Sequence, residues 1–308
     1  MNEIPNVHVD VFGVLTNTVT AGAMRGYSSP QIIFAQEQLM EEVAEELGMD
    51  IVEFKKLNML RQGGTTPTGQ YLDAEVILEE VMDKVMAESD FQAKRAAYAA
   101  QDPAAVHKKG IGLAICYRGC GLGAESSDSS GCIVEVHDDG SIMINSGLVE
   151  NGQGLKTAFT QIVSEVLTIP PEKINFIGVD THTISDGGIT AASRATAVGS
   201  ISLKRAAEEL KGHLINTVSE LMFHCPPENI DLVDGFFVMK GVPDAMIPFD
   251  VVCNAHYWTG HQSTVYCWNR PADLGYSFEA GGGGKAFPSY TYSAVVAEID
   301  VDTETGAV

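Results

Sequence analysis

Basic residues are scarce in this sequence of 308 residues. Lysine and arginine total 19 against 41 aspartates and glutamates, so the formal net charge is -22. Nucleic acid is not an expected partner, because proteins bind it by placing lysine and arginine against the phosphates. Hydrophobic residues make up 45% of the chain, which is enough for a globular core and argues against global disorder.

Long apolar runs are also missing. No stretch of about 18 apolar residues is present, so no transmembrane helix and no membrane partner are expected. The segment from Met1 to Leu15 carries acidic residues early and lacks the basic start and apolar run of a secretion signal. Only six cysteines occur, which predicts reduced thiols: Cys116, Cys120, Cys132, Cys225, Cys253 and Cys267. These features together predict a cytoplasmic protein.

The first hundred residues show both helical and strand patterns. Val7–Val14 alternates and predicts a strand. A helix is expected to start near Ser28-Ser-Pro30, because serine can cap the first free amides and proline suits a first helical turn. Its apolar stripe comprises Ile32, Ile33, Leu39, Met40, Val43 and Leu47. A further helix is predicted near Ile51–Met59.

An amphipathic helix is predicted over residues 74–99 and a linker over 101–109. A strand is expected from Gly110 to Cys116. A hairpin joins Cys132–His137 to Ser141–Ser146 through an Asp-Asp-Gly turn. Two helices, near Leu155–Leu167 and Thr190–Phe223, and a strand over Tyr290–Val301 follow.

The pattern at the end of the sequence indicates an interrupted hairpin. The strand that ends at Asp302 runs into a turn, and only Ala307 and Val308 follow as a return strand. Backbone groups without partners are unfavourable. We therefore expect that the natural polypeptide continues past Val308 or that another chain supplies the pairing.

Two loop-to-helix junctions have the composition of ligand-binding turns. In the first, Asn151–Gly154 precedes a helix; its glycines allow close backbone approach, and the free amides attract anions. In the second, Thr190, Ser193 and Thr196 are placed in the first turns of a long helix, where hydroxyls and amides could hold a phosphate. The alternatives are a simple strand break at the first junction and helix capping with close packing at the second. Two such junctions would suit a ligand with two phosphates.

A third junction surrounds Arg25, which lies between small residues just before a helix. Such an arginine can bind an oxygen-rich ligand through two parallel hydrogen bonds, and the alternative is an ordinary surface arginine. Cys253, His256, His261 and Cys267 have zinc-ligand chemistry but match no standard spacing. The run Gly281–Lys285 lacks the spacing of a phosphate loop and predicts a flexible loop instead.

These three junctions, in this order, resemble the molybdenum-binding region of the xanthine dehydrogenase/aldehyde oxidase family, with bacterial xanthine dehydrogenase-like subunits the nearest in pattern. Each motif is weak alone, and the ordered set is specific. The matching stretches are Thr16-Asn17, Gly22-Ala-Met-Arg-Gly-Tyr-Ser-Ser-Pro-Gln31, Glu37, Gly48-Met-Asp50, Asn58, Gly110-Ile-Gly112, Asp139-Gly140, Glu150-Asn-Gly-Gln-Gly154, Thr157, Thr181, Thr190-Ala-Ala-Ser-Arg194 and Asp302-Thr-Glu-Thr-Gly306.

The resemblance implies a molybdenum–pterin cofactor, commonly in its cytosine dinucleotide form in bacteria. By matching position, the residues implied to bind the cofactor are Arg25, Gly26, Asn151, Gly152, Gln153, Gly154, Ser193 and Thr196. Those implied to line the substrate pocket are Met24, Tyr27, Ala191 and Ala192. Tyr27 matches an aromatic position that stacks on flat substrates in the purine enzymes. Leu113 falls near a second aromatic position of those enzymes, and this departure puts strict purine specificity in doubt.

The family reaction is hydroxylation of an electron-poor carbon with oxygen taken from water. Its general base is a glutamate in a Gly-Glu motif near the C-terminus, and neither that motif nor the family's upstream molybdenum loop has a match here; Glu279 is not that glutamate. No catalytic residue is therefore assigned. The resemblance further implies 2Fe-2S and FAD modules as electron partners, the remaining segments of the molybdenum subunit, and a dimer of such heteromers.

The expected fold is α+β, with mixed sheets, hairpins and long helices, incomplete at both ends. Residues 1–104 are expected to be the C-terminal part of a first cofactor-binding domain, and residues 105–308 most of a second. Under the leading hypothesis, the chain is part of a catalytic subunit that oxidises a purine or another N-heterocycle. The isolated chain is then expected to be inactive. The alternatives are an aldehyde oxidoreductase subunit, a non-catalytic fragment without cofactor, and a free-standing nucleotide-binding module.

Overall fold

A computed structural model describes residues 2–22, 24–123, 128–184, 186–242, 244–272, 274–277 and 283–308. The chain divides into two compact units, the first built from Met1–Cys120 with Asp273–Val308 and the second from Gly121–Ala272. Helices and mixed sheets occur together, which confirms the predicted α+β class. The sequence analysis placed a boundary between two cofactor-binding domains after residue 104. The division into compact units does not test that boundary, which stays a prediction.

The helices are α1 (Ser29–Glu46), α2 (Ile51–Asn58), α3 (Leu78–Glu88), α4 (Phe91–Ala99), α5 (Leu155–Leu167), α6 (Ser200–Val218) and α7 (Phe249–Trp258). The strands are β1 (His107–Cys120), β2 (Ser130–Val136), β3 (Ile142–Ser146), β4 (Ile174–Phe176), β5 (Ile230–Val233), β6 (Phe236–Met239), β7 (Met246–Pro248), β8 (Thr264–Asn269), β9 (Gly275–Ser277), β10 (Gly283–Lys285) and β11 (Ser289–Asp302). Single π-helical turns, Ala195–Gly199 and Ser219–Phe223, flank α6.

The first unit is organised around a long two-stranded ribbon. β1 and β11 pair antiparallel along their whole length, from His107 opposite Asp302 to Cys120 opposite Ser289. The helices before β1 bury apolar side chains against the ribbon; the core residues are Val52, Met59, Leu78, Met82, Phe91, Leu113 and Ile115.

A buried ion pair joins three segments of this unit. Lys55 Nζ of α2 lies 2.6 Å from Glu37 Oε2 of α1, and both side chains are buried. The same carboxylate oxygen accepts a hydrogen bond of 2.9 Å from the backbone amide of Ile115 in β1. Because a buried charge is stable only when it is paired and hydrogen-bonded, these contacts fix α1 and α2 to the ribbon.

The second unit contains a four-stranded sheet in the order β4-β3-β2-β8, in which only the β3–β4 pair is parallel. α5 and α6 pack together, and α6 covers β2 and β8. Fully buried side chains such as Val134, Ile144, Phe159 and Leu210 form the core between sheet and helices. A three-stranded sheet, β5-β6-β7, lies in the same unit. No helix of the described residues is long and apolar enough to cross a membrane.

Several predicted elements are confirmed. α5 begins and ends at the predicted residues, Leu155 and Leu167. The hairpin over residues 132–146 forms as β2 and β3, and Cys132 lies opposite Ser146. The strand predicted over Tyr290–Val301 is β11. In α5 the apolar residues Leu155, Phe159, Val163 and Leu167 form the one buried face of the helix, so local sequence was sufficient there.

The strand predicted over Val7–Val14 is wrong. These residues adopt no regular structure, and Val11 and Phe12 are exposed. A strand needs a neighbour that accepts and donates the backbone hydrogen bonds, and within the described part of the chain no segment pairs with it. Alternation of apolar residues indicates only a tendency to form a strand. Whether the strand forms depends on pairing with a neighbour.

α1 forms where it was expected, with Pro30 in its first turn, but two details are corrected. Ser28 adopts a left-handed conformation with φ of 63°, and its side chain makes no capping hydrogen bond within the described residues. The predicted apolar stripe is divided: Ile32 and Leu39 are exposed, whereas Ile33 packs against the core, and the buried residues of the helix are Glu37 and Ala44. The side of α1 that faces the unit therefore carries the Glu37–Lys55 pair together with Ile33 and Ala44.

The single helix predicted over residues 74–99 is wrong, because it divides into α3 and α4 at Asp90, whose φ of 53° cannot continue an α-helix. The predicted linker over residues 101–109 is also too long, because β1 already begins at His107. Its last residues pair with β11, a partner nearly two hundred positions away that the local sequence does not reveal.

Two histidines, His256 and His261, contact the Thr217 hydroxyl near the C-terminal end of α6. His256 of α7 is 1% exposed. Its Nδ1 lies 2.7 Å from Thr217 Oγ1, and its Nε2 lies 3.0 Å from the Gln262 carbonyl. Burial lowers the pKa of His256, and the nearby His261 and His213 lower the pKa further, whereas the bond to Gln262 opposes the change. The folded unit therefore favours neutral His256.

This pKa direction predicts a loss of stability in mild acid. The unfolded chain takes up the proton first, near the ordinary histidine pKa of about 6.5, so the free energy of unfolding falls as pH drops from there towards the lower folded pKa. One proton contributes at most about 1.4 kcal/mol per pH unit. Denaturant titrations at several pH values should give a shallower decline for His256→Gln than for the exposed control His137→Gln. Equal slopes for the two variants would contradict the prediction.

Candidate functional site

The first predicted junction forms a glycine-supported turn before α5. Gly152 and Gly154 have φ of 88° and 84°, a region that L side chains rarely adopt. A Cβ built on either glycine would meet no atom within 4 Å. The four residues Asn151–Gly154 are all exposed, so the backbone of this turn is open to the approach of a ligand.

A carboxylate already binds the amides of this turn. Glu150 Oε1 accepts hydrogen bonds from Gly152 N at 2.7 Å and Gly154 N at 3.0 Å, and its Oε2 accepts from Lys156 N at 3.1 Å. These backbone donors, Gly154 first, hold the pKa of Glu150 below its ordinary value. The row of amides therefore binds an anionic group with two oxygens, as the sequence analysis expected of a helix N-terminus.

The second junction lies beside the first. The Thr190 hydroxyl accepts a hydrogen bond from Val149 N at 2.9 Å, and Asn151 Nδ2 lies 3.5 Å from the Thr190 carbonyl. Gln153 Nε2 donates back to the Val149 carbonyl at 2.9 Å. The two predicted turns are thus neighbours in the second unit.

The long helix does not begin at Thr190, which corrects the prediction. Ala192 and Ser193 have φ of 53° and 58°, so the chain cannot be helical there. Helical structure begins with the π turn at Ala195 and continues as α6. Thr196 lies in that first turn, whereas Thr190, Ala191, Ala192 and Ser193 form a loop before it. Ala191 and Ala192 are half-buried, and Ser193 and Thr196 are exposed.

The third junction belongs to the first unit. Met24 and Arg25 are exposed, and Arg25 makes no hydrogen bond or ion pair within the residues that the structure describes. Gly26, with φ of 106°, and Tyr27, with φ of 47°, form a tight turn. Arg118 of β1 holds this turn: its Nη1 donates to the Gly26 carbonyl at 2.6 Å and also contacts the Ser29 hydroxyl.

Tyr27 borders a shallow cavity of about 320 Å³. Its side chain is 70% exposed, and the cavity is also lined by Ile32, Pro67 and Tyr117. Tyr27 is therefore accessible to a flat group, on which an aromatic side chain can stack. Leu113 does not take part, because it is 4% exposed and belongs to the core of the first unit.

The zinc-like residues serve other roles. His256 and His261 both contact the Thr217 hydroxyl, and Cys253 is buried. Among the residues that the structure describes, no group of three or more His, Cys, Asp or Glu side chains could hold a metal ion. In the glycine run, Gly283–Lys285 is strand β10 and not a loop, whereas Gly281, Gly282 and Glu279 lie outside the described residues.

Sequence reasoning missed two side chains that shape the turns. Glu150 was noted only as part of a motif, yet its carboxylate binds three amides. Glu150 lies two, four and six residues before those amides, which resembles a helix-capping arrangement. This spacing could have indicated that its carboxylate binds the start of α5. Arg118 had no such signal, because it meets Gly26 only through the tertiary fold.

The donor set of the second unit fits a phosphate-bearing pterin. The turns offer backbone amides, hydroxyls and the amide side chains of Asn151 and Gln153, which can donate to phosphate oxygens and to a heterocyclic edge. The open space beside Gly152 and Gly154 gives a bulky group access to that backbone. The amides of Gly152 and Gly154 donate to the Glu150 carboxylate and so already bind an anionic group, which a phosphate would have to displace.

Comparison with known proteins agrees with this chemistry. Two family models described as molybdopterin cofactor-binding domain match residues 84–308 and residues 1–59. The aldehyde oxidoreductase of Megalodesulfovibrio gigas is 30% identical over 307 residues, which cover 98% of this chain and 30% of that protein. The putative xanthine dehydrogenase molybdenum-binding subunit of Escherichia coli (strain K12) is 31% identical over 231 residues, covering 74% of this chain and 30% of that protein.

Solved structures show the same relationship. The aldehyde oxidoreductase from Desulfovibrio gigas superposes with a TM-score of 0.74 at 27% identity, covering 92% of this chain and 28% of that chain. The present chain spans between 16% and 30% of the length of the curated relatives it matches most strongly. The chain belongs to the xanthine dehydrogenase/aldehyde oxidase family of molybdenum hydroxylases, and it corresponds to part of their molybdenum-cofactor-binding region.

Proposed function

We propose that this chain is part of the molybdopterin-binding catalytic subunit of a xanthine dehydrogenase-like hydroxylase, which oxidises a purine or another N-heterocycle with oxygen from water. The observation that carries this proposal is the contact between the two predicted turns, in which Thr190 binds the backbone of Val149 beside Asn151. The bound cofactor would supply the two-electron redox chemistry, and the chain's own residues would bind and orient it.

Each turn has a role in this proposal. Asn151–Gly154 would contact the pterin or its phosphate, and the cofactor would also be held by Ser193 from the neighbouring loop and by Thr196 from the helical turn after it. Arg25 and Gly26 would line the molybdenum site, and the substrate pocket would be lined by Met24, Tyr27, Ala191 and Ala192. Two turns with anion-binding donors suit a cofactor with two phosphates, which supports a dinucleotide form; the cytosine base is proposed from the family resemblance.

The remaining parts of the reaction would come from elsewhere in the assembly. The general-base glutamate has no counterpart in this chain. Electrons would leave through 2Fe-2S and FAD modules, and further segments of the molybdenum subunit would complete the cofactor site. The complete enzyme would be a cytoplasmic dimer of such heteromers, and the isolated chain would be inactive.

Elemental and nucleotide analysis of the intact assembly tests the proposal. We expect equimolar molybdenum and cytidine nucleotide in each assembly that contains this chain. Gln153→Ala should reduce the molybdenum content by about tenfold or more, because a residue that orients the bound group typically contributes this much affinity. Gln161→Ala, an exposed change on α5, should retain the wild-type content. An intact assembly without molybdenum would identify the chain as a cofactor-free fragment.

The internal carboxylate allows a separate test of the first turn. Glu150→Gln keeps an acceptor and removes the negative charge, so inorganic phosphate should bind the amides of Gly152 and Gly154 several-fold more tightly. The exposed Glu165→Gln on α5 changes the net charge equally and should have no such effect. Amide resonance shifts during a phosphate titration provide the measurement. Equal affinities in the two variants would show that the amides are not a phosphate site.

Aldehyde oxidation is a second candidate function. It is supported by the 30% identity to an aldehyde oxidoreductase over nearly the whole chain. Leu113 falls near the second aromatic position of the purine enzymes, and it is buried in the core. Stacking on a flat substrate would therefore depend on Tyr27. The two candidates differ in their dependence on Tyr27, because only a flat ring gains from stacking on that side chain.

Steady-state kinetics of the intact assembly distinguish the candidates. If the substrate is an N-heterocycle, Tyr27→Ala should raise its KM by about fivefold, as expected for the loss of about 1 kcal/mol of stacking. A short aliphatic aldehyde should show little change. Tyr71→Ala provides a control, because Tyr71 is similarly exposed in the same unit. An aldehyde turned over efficiently with no response to Tyr27→Ala would favour the second candidate.

A further inference from the structure

Arg194 is an arginine with no exposed surface in the second unit. Its Nε donates to Asp128 Oδ1 at 2.6 Å, and the Asp128 side chain is buried with it. Its Nη1 donates to the carbonyls of Gly187 and Ile189 at 2.5 and 3.0 Å, and its Nη2 donates to the Ser129 carbonyl. The guanidinium therefore has one charged and three backbone acceptors.

These acceptors belong to two separate loops. Asp128 and Ser129 precede β2, and the second oxygen of Asp128 accepts from Leu122 N at 3.1 Å. Gly187 and Ile189 lie in the loop before α6. The planar guanidinium, with donors in fixed directions, can hold all these groups at once, which a lysine ammonium cannot.

The loop that Arg194 holds is strained. Ala192 and Ser193 both have positive φ, a conformation that costs about 1 kcal/mol or more for each residue that is not glycine. Such a shape persists only where surrounding contacts enforce it. Arg194 lies next to these residues, and the Ala192 carbonyl accepts a hydrogen bond of 2.7 Å from Gly121 N.

We propose that Arg194 is a positioning residue and that, with Asp128, it holds the loop of residues 187–193 in the shape that presents Ala191, Ala192 and Ser193 to the cofactor. The role of the presented residues rests on the proposed function, whereas the shape of the loop does not. Through Thr190 the same loop is tied to the backbone of Val149. One buried guanidinium thus controls the relative placement of both cofactor-binding turns.

Two variants of the intact assembly test this role. Arg194→Lys keeps the positive charge beside Asp128 and removes the planar set of donors that the guanidinium provides. Gly188→Ala keeps Arg194 and crowds it, because a Cβ at Gly188 would lie 3.3 Å from Arg194 Nη1. Gly241→Ala is the matched control: Gly241 also has positive φ, at +81°, and a Cβ there would meet no atom within 4 Å. The control therefore carries the backbone strain of Gly188→Ala without the contact.

Hydrogen–deuterium exchange provides the first measurement. The amides of Gly121 and Val149 report on the loop, because they donate to Ala192 and Thr190. We expect both to exchange about tenfold faster in Arg194→Lys and Gly188→Ala than in Gly241→Ala, while the amides of α6 keep wild-type protection. Unchanged exchange at Gly121 and Val149 would overturn the proposal. If Arg194→Lys fails to fold, Gly188→Ala decides by the same criterion.

Molybdenum content provides the second measurement. In both test variants it should fall by about tenfold relative to Gly241→Ala. Faster exchange with full molybdenum content would overturn the positioning role. A wild-type assembly without molybdenum would refute the proposed function instead, and the exchange measurement would then decide alone whether Arg194 holds the loop.

Discussion

The buried pair of Arg194 and Asp128 is the constraint on which the candidate site of the second unit depends. An ionised side chain without water needs partners for its charge and for each of its donors. Arg194 finds them only when two loops lie close together, so the free energy of burying the charge is coupled to the placement of those loops. Removing one partner of such a pair typically costs about 3–5 kcal/mol.

The first unit uses the same principle with different residues. The Glu37–Lys55 pair is buried, and its carboxylate also binds the backbone of β1. The pair lies on the inward face of α1, whereas Ile32 and Leu39 are exposed on another face of the helix. The exposed pairs, such as Lys56 with Asp83, lie in solvent and contribute little to stability. Specific placement in both units therefore comes from very few buried charges.

The scarcity of basic residues also shapes the candidate site. A protein with a formal net charge of -22 has few cations available for an anionic cofactor. At the two turns of the second unit the donors include backbone amides, hydroxyls and the amide side chains of Asn151 and Gln153. Amides at a turn supply partial positive charge without a titrating side chain. That they hold the Glu150 carboxylate follows from the same property.

The sequence by itself determined the family, the α+β class, and elements whose pattern is local, such as α5 and the β2–β3 hairpin. It also identified the turns at Gly152 and Gly154, because glycine preferences are local. Only the tertiary structure decided that Val7–Val14 is not a strand and that the helix after Thr190 begins later. Both outcomes depend on partners distant in sequence: a strand needs a neighbour, and the shape of the loop depends on hydrogen bonds between Arg194 and residues up to 66 positions away.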